Sequence, residues 1–377
     1  MNKTSPKLIL PRLSLTRQIA VIGGGAIGSA TAWQLASHGH EVDLIDPLLD
    51  EPINRSGTLN GTTASLGILM GHVFRKASGR GWRLRRRSME LWQEWLVMLN
   101  SAENPLKLET PLVQLASSEK EASLMKKLSK DRKALGLELL HPNTTIQNDR
   151  VWPENSYGGL ISHQDGRLNP LQLQKCLLNK LDTYSVQKLP SEVIHLERGL
   201  TTNKQPWLLH LSNGKTLAKE IIIICAALGS EALLKPLGHN IPLTPVLGQV
   251  LNLKLPTNNE NWSGWPAVLN SEGVNLIPNG RNHMLMGATL EPGICPKTKT
   301  LEQMKRMNGN APKWLQKATV IEQWSGLRGR PIDRPSPVLK KLETGLIMAT
   351  GHYRNGILLA PASAEWVVEE VTKEEAS

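Results

Sequence analysis

The stretch from Gln18 to Asp46 limits what this chain can fold into more than any other part of it. Gln18-Ile19-Ala20-Val21-Ile22 is a short apolar run of the kind that fills buried parallel strands. Gly23-Gly24-Gly25-Ala26-Ile27-Gly28 follows at once, and Ser29 to Ser37 reads as a helix. Each spaced glycine has its own task. Gly23 permits a tight turn, Gly25 lets backbone approach a pyrophosphate, and Gly28 lets helix and strand pack closely. The helix start at Ala26 and Ile27 offers unbonded N–H groups and a positive dipole end to phosphates. A second strand, Glu41-Val42-Asp43-Leu44-Ile45, ends in Asp46. A carboxylate there accepts hydrogen bonds from ribose hydroxyls and disfavours a 2′-phosphate. Glycine-rich turns are common, but strand, glycines, helix, second strand and terminal acid in this order define a dinucleotide-binding unit. The order does not separate a nicotinamide dinucleotide from a flavin one.

At 377 residues the chain is long for a single core and suits two domains. Its hydrophobic content of 40% argues against disorder, and no apolar run reaches the length of a membrane-spanning helix. In residues 1–16, Lys3, Lys7 and Arg12 accompany only Leu8-Ile9-Leu10. The expectation is a flexible lead-in to a cytoplasmic protein, neither a secretory nor a transit peptide. Cys176, Cys225 and Cys295 are widely spaced, so reduced thiols are expected, with no disulfide framework and no metal site.

The net charge of +11 is densest where Arg75, Lys76, Arg80, Arg83, Arg85, Arg86 and Arg87 stand without an intervening acid. Such a run suits a phosphate backbone, and a non-catalytic or RNA-associated protein is one alternative. Leu84, Met89, Leu91, Trp92, Trp95 and Leu96 follow at roughly helical spacing. A solvated helix face over an apolar underside is therefore favoured, and no nucleic-acid partner is expected.

Four later segments carry more specific information: Gly61-Thr62-Thr63-Ala64-Ser65-Leu66-Gly67-Ile68-Leu69, Ser191-Glu192-Val193-Ile194-His195-Leu196, Trp324-Ser325-Gly326-Leu327-Arg328, and Gly351-His352-Tyr353-Arg354-Asn355-Gly356-Ile357-Leu358-Leu359-Ala360-Pro361. With the glycine fingerprint they resemble the D-amino acid oxidase superfamily of FAD-dependent oxidoreductases, and within it the glycine oxidases of the ThiO type. The resemblance runs from Gln18 to about Val371. It implies non-covalently bound FAD. The loop with Thr62, Thr63, Ala64, Gly67, Ile68 and Leu69 would wrap the pyrophosphate and near the flavin, where small side chains let backbone touch the ligand. The backbone of Val193 would meet adenine, and Ala227 stands where the family usually has glycine. His352, Tyr353, Arg354, Asn355, Gly356, Ile357 and Leu358 would border the flavin, with the helix start aimed at its pyrimidine edge.

By the same resemblance Arg328 holds an amino acid carboxylate through its planar fork, and Arg354 lies near the same pocket. Asn275 stands where glycine oxidases commonly carry a tyrosine that helps hold the carboxylate, and it can donate a hydrogen bond in its place. Gly329 replaces the proline that usually follows the arginine, and Leu247 replaces a common arginine. Gly158 to Pro170 is read as scaffold, with Asn169 as helix cap and Pro170 at the first helical position.

The implied fold is α/β: a Rossmann-like FAD-binding domain from residues 17–100, 151–234 and 321–377, interleaved with a mixed β-sheet (α+β) substrate domain from 101–150 and 235–320. The implied reaction oxidises the amine of a small amino acid (glycine, sarcosine or a D-amino acid) to an imine, with hydride passing to flavin N5 and oxygen as acceptor. Thiamine thiazole biosynthesis, with thiazole synthase as a partner, is the implied setting, and a homo-oligomer is compatible with it. A dehydrogenase passing electrons to a quinone or carrier is the alternative within the same chemistry.

Overall fold

The computed structural model describes residues 16–55, 59–144, 152–199, 207–256 and 262–375. All but the last residue of the expected lead-in lies outside the described residues. Among those described, no helix is long and apolar enough to cross a membrane.

The expected α/β architecture is present. A six-stranded sheet runs in the order Val338–Glu343, Leu346–Thr350, Ile221–Ile224, Gln18–Ile22, Glu41–Ile45, Gln187–Leu189. All neighbours are parallel except the first pair. Its central strands are mostly apolar because both faces are covered. Ile19, Val21, Ile221, Ile223, Ile347 and Ala349 point to the helices. The residues between them, Ala20, Ile22, Ile222, Ile224, Leu346 and Met348, pack on the other face with Trp207 and Leu209 of a small antiparallel sheet. A one-residue slip of any of these strands would exchange the two sets of side chains.

The helical layer holds Ala26–Ser37, Arg80–Leu99, Pro170–Asp182 and Gly356–Glu375. Trp33 meets Trp95 edge-on at 4.7 Å between ring centroids, and Trp92 meets Trp95 at 5.6 Å. Pro170–Asp182 starts as anticipated: the Asn169 side chain accepts from the N–H groups of Leu171 and Gln172. Pro361 follows five helical residues, Gly356 to Ala360, and lies in the second turn. A proline there removes a helical hydrogen bond. The neighbouring helix meets polar groups around the break: Trp92 Nε1 donates to the Leu358 carbonyl at 3.1 Å, and the Ala362 N–H donates to Ser88 Oγ at 3.2 Å.

A nine-stranded mixed sheet forms the second layer. The long strands Leu243–Lys254 and Thr319–Pro331 pair antiparallel, and Val274–Pro278 and His283–Gly287 lie beyond. Two of its strands depart from the anticipated division of the chain. Gly159–Ser162 and most of Thr319–Pro331 fall in stretches assigned to the cofactor layer, yet they hydrogen-bond to Leu112–Leu115 and Leu243–Lys254. An apolar strand pattern looks the same whichever sheet supplies its partners, so local sequence does not make this choice. One face of the mixed sheet carries its own core with Leu251, Leu276 and Met286. The other, with Val250, Ile277 and Leu285, packs on Ala64, Leu66 and Val73. That second contact places the loop from Leu59 to Val73 between the two sheets.

Candidate active site

Between the sheets lies one continuous cavity of about 1340 Å³. Ordinary small-ligand pockets are ~300–1,000 Å³, so this one has room for more than a small metabolite. At one end the glycine fingerprint shapes its wall. Gly23 has φ +109°, and a Cβ there would come within 2.6 Å of the Cys225 carbonyl oxygen. A Cβ on Gly28 would lie 1.7 Å from the Gly23 carbonyl oxygen. Gly25 occupies the position before the first helix, without a side-chain cap. The Ala26 N–H donates to Thr62 Oγ1 at 2.8 Å, tying the small-residue loop to the helix start. Asp46 closes this end, accepting from the N–H groups of Gly24 at 2.7 Å and Leu48 at 2.8 Å. Its two oxygens keep further lone pairs for a ribose.

The loop is held from three sides. Trp324 Nε1 donates to the Ala64 carbonyl at 3.0 Å and Arg167 Nε to the Leu66 carbonyl at 3.0 Å, while Thr62 meets the helix as described. Thr62, Ala64, Gly67 and Ile68 line the cavity, as do Val193 and Ala227. Gly28, Thr63, Leu69 and Leu358 do not border it. Gly28 packs against Gly23, Thr63 bonds with Asn60, and Leu69 and Leu358 are buried in the helical core.

At the far end the C-terminal helix begins on the cavity. The Leu359 N–H donates to the Asn355 carbonyl, so Asn355 caps the helix. The N–H groups of Gly356, Ile357 and Leu358 precede the first helical bond and have no acceptor within the helix. Gly356 and Ile357 line the cavity with His352, Tyr353, Arg354 and Asn355. His352 is buried, its Nε2 is 2.8 Å from Ser363 Oγ, and burial, with Arg80 nearby, pushes its pKa from 6.5 down to about 3. The folded state therefore refuses a proton that the unfolded chain accepts below pH 6.5. Stability contributed by neutral His352 is complete above that pH and falls by about 1.4 kcal/mol per pH unit between 6.5 and 3. Denaturant unfolding of His352→Gln should show a shallower loss of stability on acidification. An unchanged slope would assign the acid sensitivity elsewhere.

Arg328 and Arg354 share the cavity. The Arg328 guanidinium lies across Gly248, where a Cβ would come within 2.2 Å of Nη2, and Nη1 donates to the Thr289 carbonyl at 3.2 Å. Burial lowers its pKa and Arg354 lowers it further. No ion pair to either arginine forms among the described residues. Asn275 also borders the cavity, but much of its amide is already engaged. Its Nδ2 donates to the Gly287 carbonyl and its Oδ1 accepts from Asn270 Nδ2, each at 2.9 Å. One amide N–H remains for a ligand.

Several wall residues carry no chemical signature of their own. Gly248 and Asn270 lie within strands and Ala288 and Leu290 follow the strand His283–Gly287, and the register of the mixed sheet brings them here. Cys225 lies behind the fingerprint, where burial pushes its thiol pKa up to about 12. The basic run is divided. Arg86 and Arg87 pair with Glu90 and Glu365 on the surface, while Arg75, Lys76 and Arg85 border the cavity.

A mainly parallel sheet with a glycine cradle, and two helix starts opening on one large cavity that two arginines also border, define a dinucleotide-binding fold. The chain belongs to the DAO family, the FAD dependent oxidoreductases, whose family model matches residues 18–370. FAD is the cofactor of this family, and the Gly23–Gly28 cradle, whose backbone lies bare of side chains at the start of a helix with Asp46 beside it, suits it. Glycine oxidase of Pseudomonas putida is 33% identical over 164 residues, covering 41% of this chain and 42% of that protein. The bifunctional protein ThiO/ThiG of a Nostoc species is 27% identical over 374 residues, covering 96% of this chain and 53% of that one. The chain thus spans about half the length of these curated relatives. Among solved structures, glycine oxidase from Geobacillus kaustophilus superimposes with a TM-score of 0.79 at 22% identity, covering 95% of each chain.

Proposed function

We propose that this chain oxidises the amine of a small amino acid to an imine. The observation that carries this reading is the pair Arg328 and Arg354, with no ion pair to either among the described residues, in the same cavity as the dinucleotide cradle. FAD, when bound, supplies the hydride acceptor, and oxygen is the final acceptor in this reading. Arg328 grips the substrate carboxylate through parallel N–H donors, and Arg354 adds positive potential beside it. The remaining N–H of Asn275 assists. Together these groups fix the α-carbon in one orientation, and orientation is the larger part of what a protein contributes to such a transfer. The N–H groups of Gly356 and Ile357 place a positive dipole end where negative charge accumulates on the cofactor. His352, neutral by burial, holds its segment through Ser363. Glycine, sarcosine and D-amino acids are the substrate class, and likeness to ThiO/ThiG supports a setting in thiazole formation with thiazole synthase as partner.

Anaerobic mixing of the holoprotein with glycine, sarcosine, D-alanine and D-proline tests the reading, with bleaching of the visible flavin band as the signal. Bleaching by at least one supports it, and a spectrum unmoved by all four refutes it. Oxygen uptake then separates an oxidase from an enzyme needing a carrier. Gly248→Ala provides a narrower check. The new methyl must displace the Arg328 guanidinium, so KM for the amine should rise about tenfold with FAD retained, as ~1.4 kcal/mol of lost grip gives. An unchanged KM would remove Arg328 from the carboxylate site.

A further inference from the structure

A second group of cations borders the cavity, and the chemistry above does not use it. Phe74, Arg75 and Lys76 precede the helix Arg80–Leu99, and Arg85 lies within its first turns. With Gln114, Ser117 and Glu121 they form the part of the wall that belongs to the mixed-sheet side, away from the glycine cradle.

This segment is clamped from behind by two buried charged groups. The Asp165 carboxylate, fully buried, accepts from the N–H groups of Gly71, His72 and Val73 at 2.9–3.1 Å. Arg132, also buried, donates to the carbonyls of His72, Phe74 and Lys76, and its guanidinium lies 3.9 Å from the Trp82 ring centroid. Residues 71–76 are therefore preorganised.

What the clamp presents is positive. The Arg85 guanidinium stacks 3.9 Å from the Phe74 ring centroid, and Nη1 donates to the Gly81 carbonyl at 3.0 Å. Arg85 Nε is buried with no hydrogen-bond partner, and burial alone lowers the pKa of the group. Lys76 has no ion pair among the described residues. Two acids share this wall. Glu121 is engaged by Arg75 and by the Ser117 N–H and hydroxyl. Glu272 accepts from Asn310 Nδ2 at 3.3 Å. With Glu121 and Arg75 satisfied by each other, Lys76 and Arg85 outweigh Glu272. A second anion in the cavity would complete their electrostatics.

We propose that Lys76 and Arg85 form a second anion subsite, and that the substrate is an amine bearing two carboxylates, one held at Arg328 and the other here. This rests on the amine-oxidising reading above. Two charged points hold the reacting carbon between them better than one.

Equilibrium binding of ligands that cannot be turned over tests the subsite separately from catalysis. Thiodiacetate has sulfur in place of an amine between two carboxylates, and (ethylthio)acetate is its monoanionic counterpart. Each is titrated into the holoprotein, with perturbation of the visible flavin spectrum as the readout. Thiodiacetate is expected to bind about tenfold tighter, the gain from one charge-assisted contact. In Lys76→Gln and in Arg85→Gln the ratio of the two dissociation constants should fall toward one, whereas Arg85→Lys should keep most of it. Lys76 is exposed, so its substitution leaves folding aside. Equal affinities in the unaltered protein, or a preference that survives both glutamine substitutions, overturn the subsite while the carboxylate site at Arg328 stands. Failure of both ligands to bind overturns that site, and the subsite with it.

Discussion

With Arg328 replaced by alanine, the purified protein is expected to keep its FAD and to lose roughly 10²- to 10³-fold in kcat/KM for its amine substrate. Truncating one side of a buried, hydrogen-bonded charge pair costs about 2–5 kcal/mol, and each ~1.4 kcal/mol is tenfold. The effect should lie toward the upper end because Arg328 is buried and accompanied only by Arg354, so no neighbouring carboxylate competes for it. Arg328→Lys should recover part of the loss, since charge returns without the planar fork. The measurement is the reductive half-reaction against substrate concentration, with the flavin content of the same preparation read from its visible absorbance. Loss of FAD together with Arg328 would falsify the assignment, because it would place that side chain against the cofactor instead of the substrate.

A second large effect is expected at Gly28. In Gly28→Ala the new Cβ would lie 1.7 Å from the Gly23 carbonyl oxygen, a separation no packing adjustment accommodates. Strand and helix must move apart by an ångström or more, and the backbone turn that receives the pyrophosphate opens with them. The protein should be isolated without visible flavin absorbance and with a lower melting temperature. Gly24→Ala provides the comparison. Its Cβ would approach the Asp46 Cβ to 2.9 Å, a contact with a side chain in place of backbone, so a milder effect is expected. Full FAD occupancy in Gly28→Ala would remove the glycine fingerprint from the binding account.

The cofactor layer was legible because its signals are local. The turn, the helix start and the terminal acid from Gly23 to Asp46 are consecutive in the chain, and each glycine is needed for a backbone reason that survives any neighbour. The cation pair was legible only through resemblance, since Arg328 lies on a strand of the mixed sheet, Arg354 lies in the turn before the last helix, and neither position is marked by its own neighbours. The rest of the substrate wall was legible only in part. Gly248 matters because Arg328 stands diagonally opposite across a strand pair, and register of that kind is fixed by tertiary packing. Asn275 shows the same limit from the other direction. Its side chain could donate to a substrate on chemical grounds, yet Asn270 and the Gly287 carbonyl already engage both ends of it. The basic run illustrates a third kind of loss, since one charge pattern divides between solvent-facing ion pairs and a cavity border according to which side of Gly79 each residue falls and how the helix is turned.

The strand Leu346–Thr350 and the helix start at Gly356 sit on the same cavity as Gly23 and Gly25, although the whole mixed sheet intervenes in the chain. On the ribosome the cradle therefore emerges long before the wall that faces it. At about 5–20 residues per second the interval is of the order of tens of seconds. Until residues 346–357 have emerged, the strand Ile221–Ile224 lacks one of its sheet neighbours and the far end of the cavity lacks part of its wall. A complete cavity is thus expected only late in biosynthesis, and until then the chain carries an unpaired, wholly apolar strand edge at Ile221–Ile224.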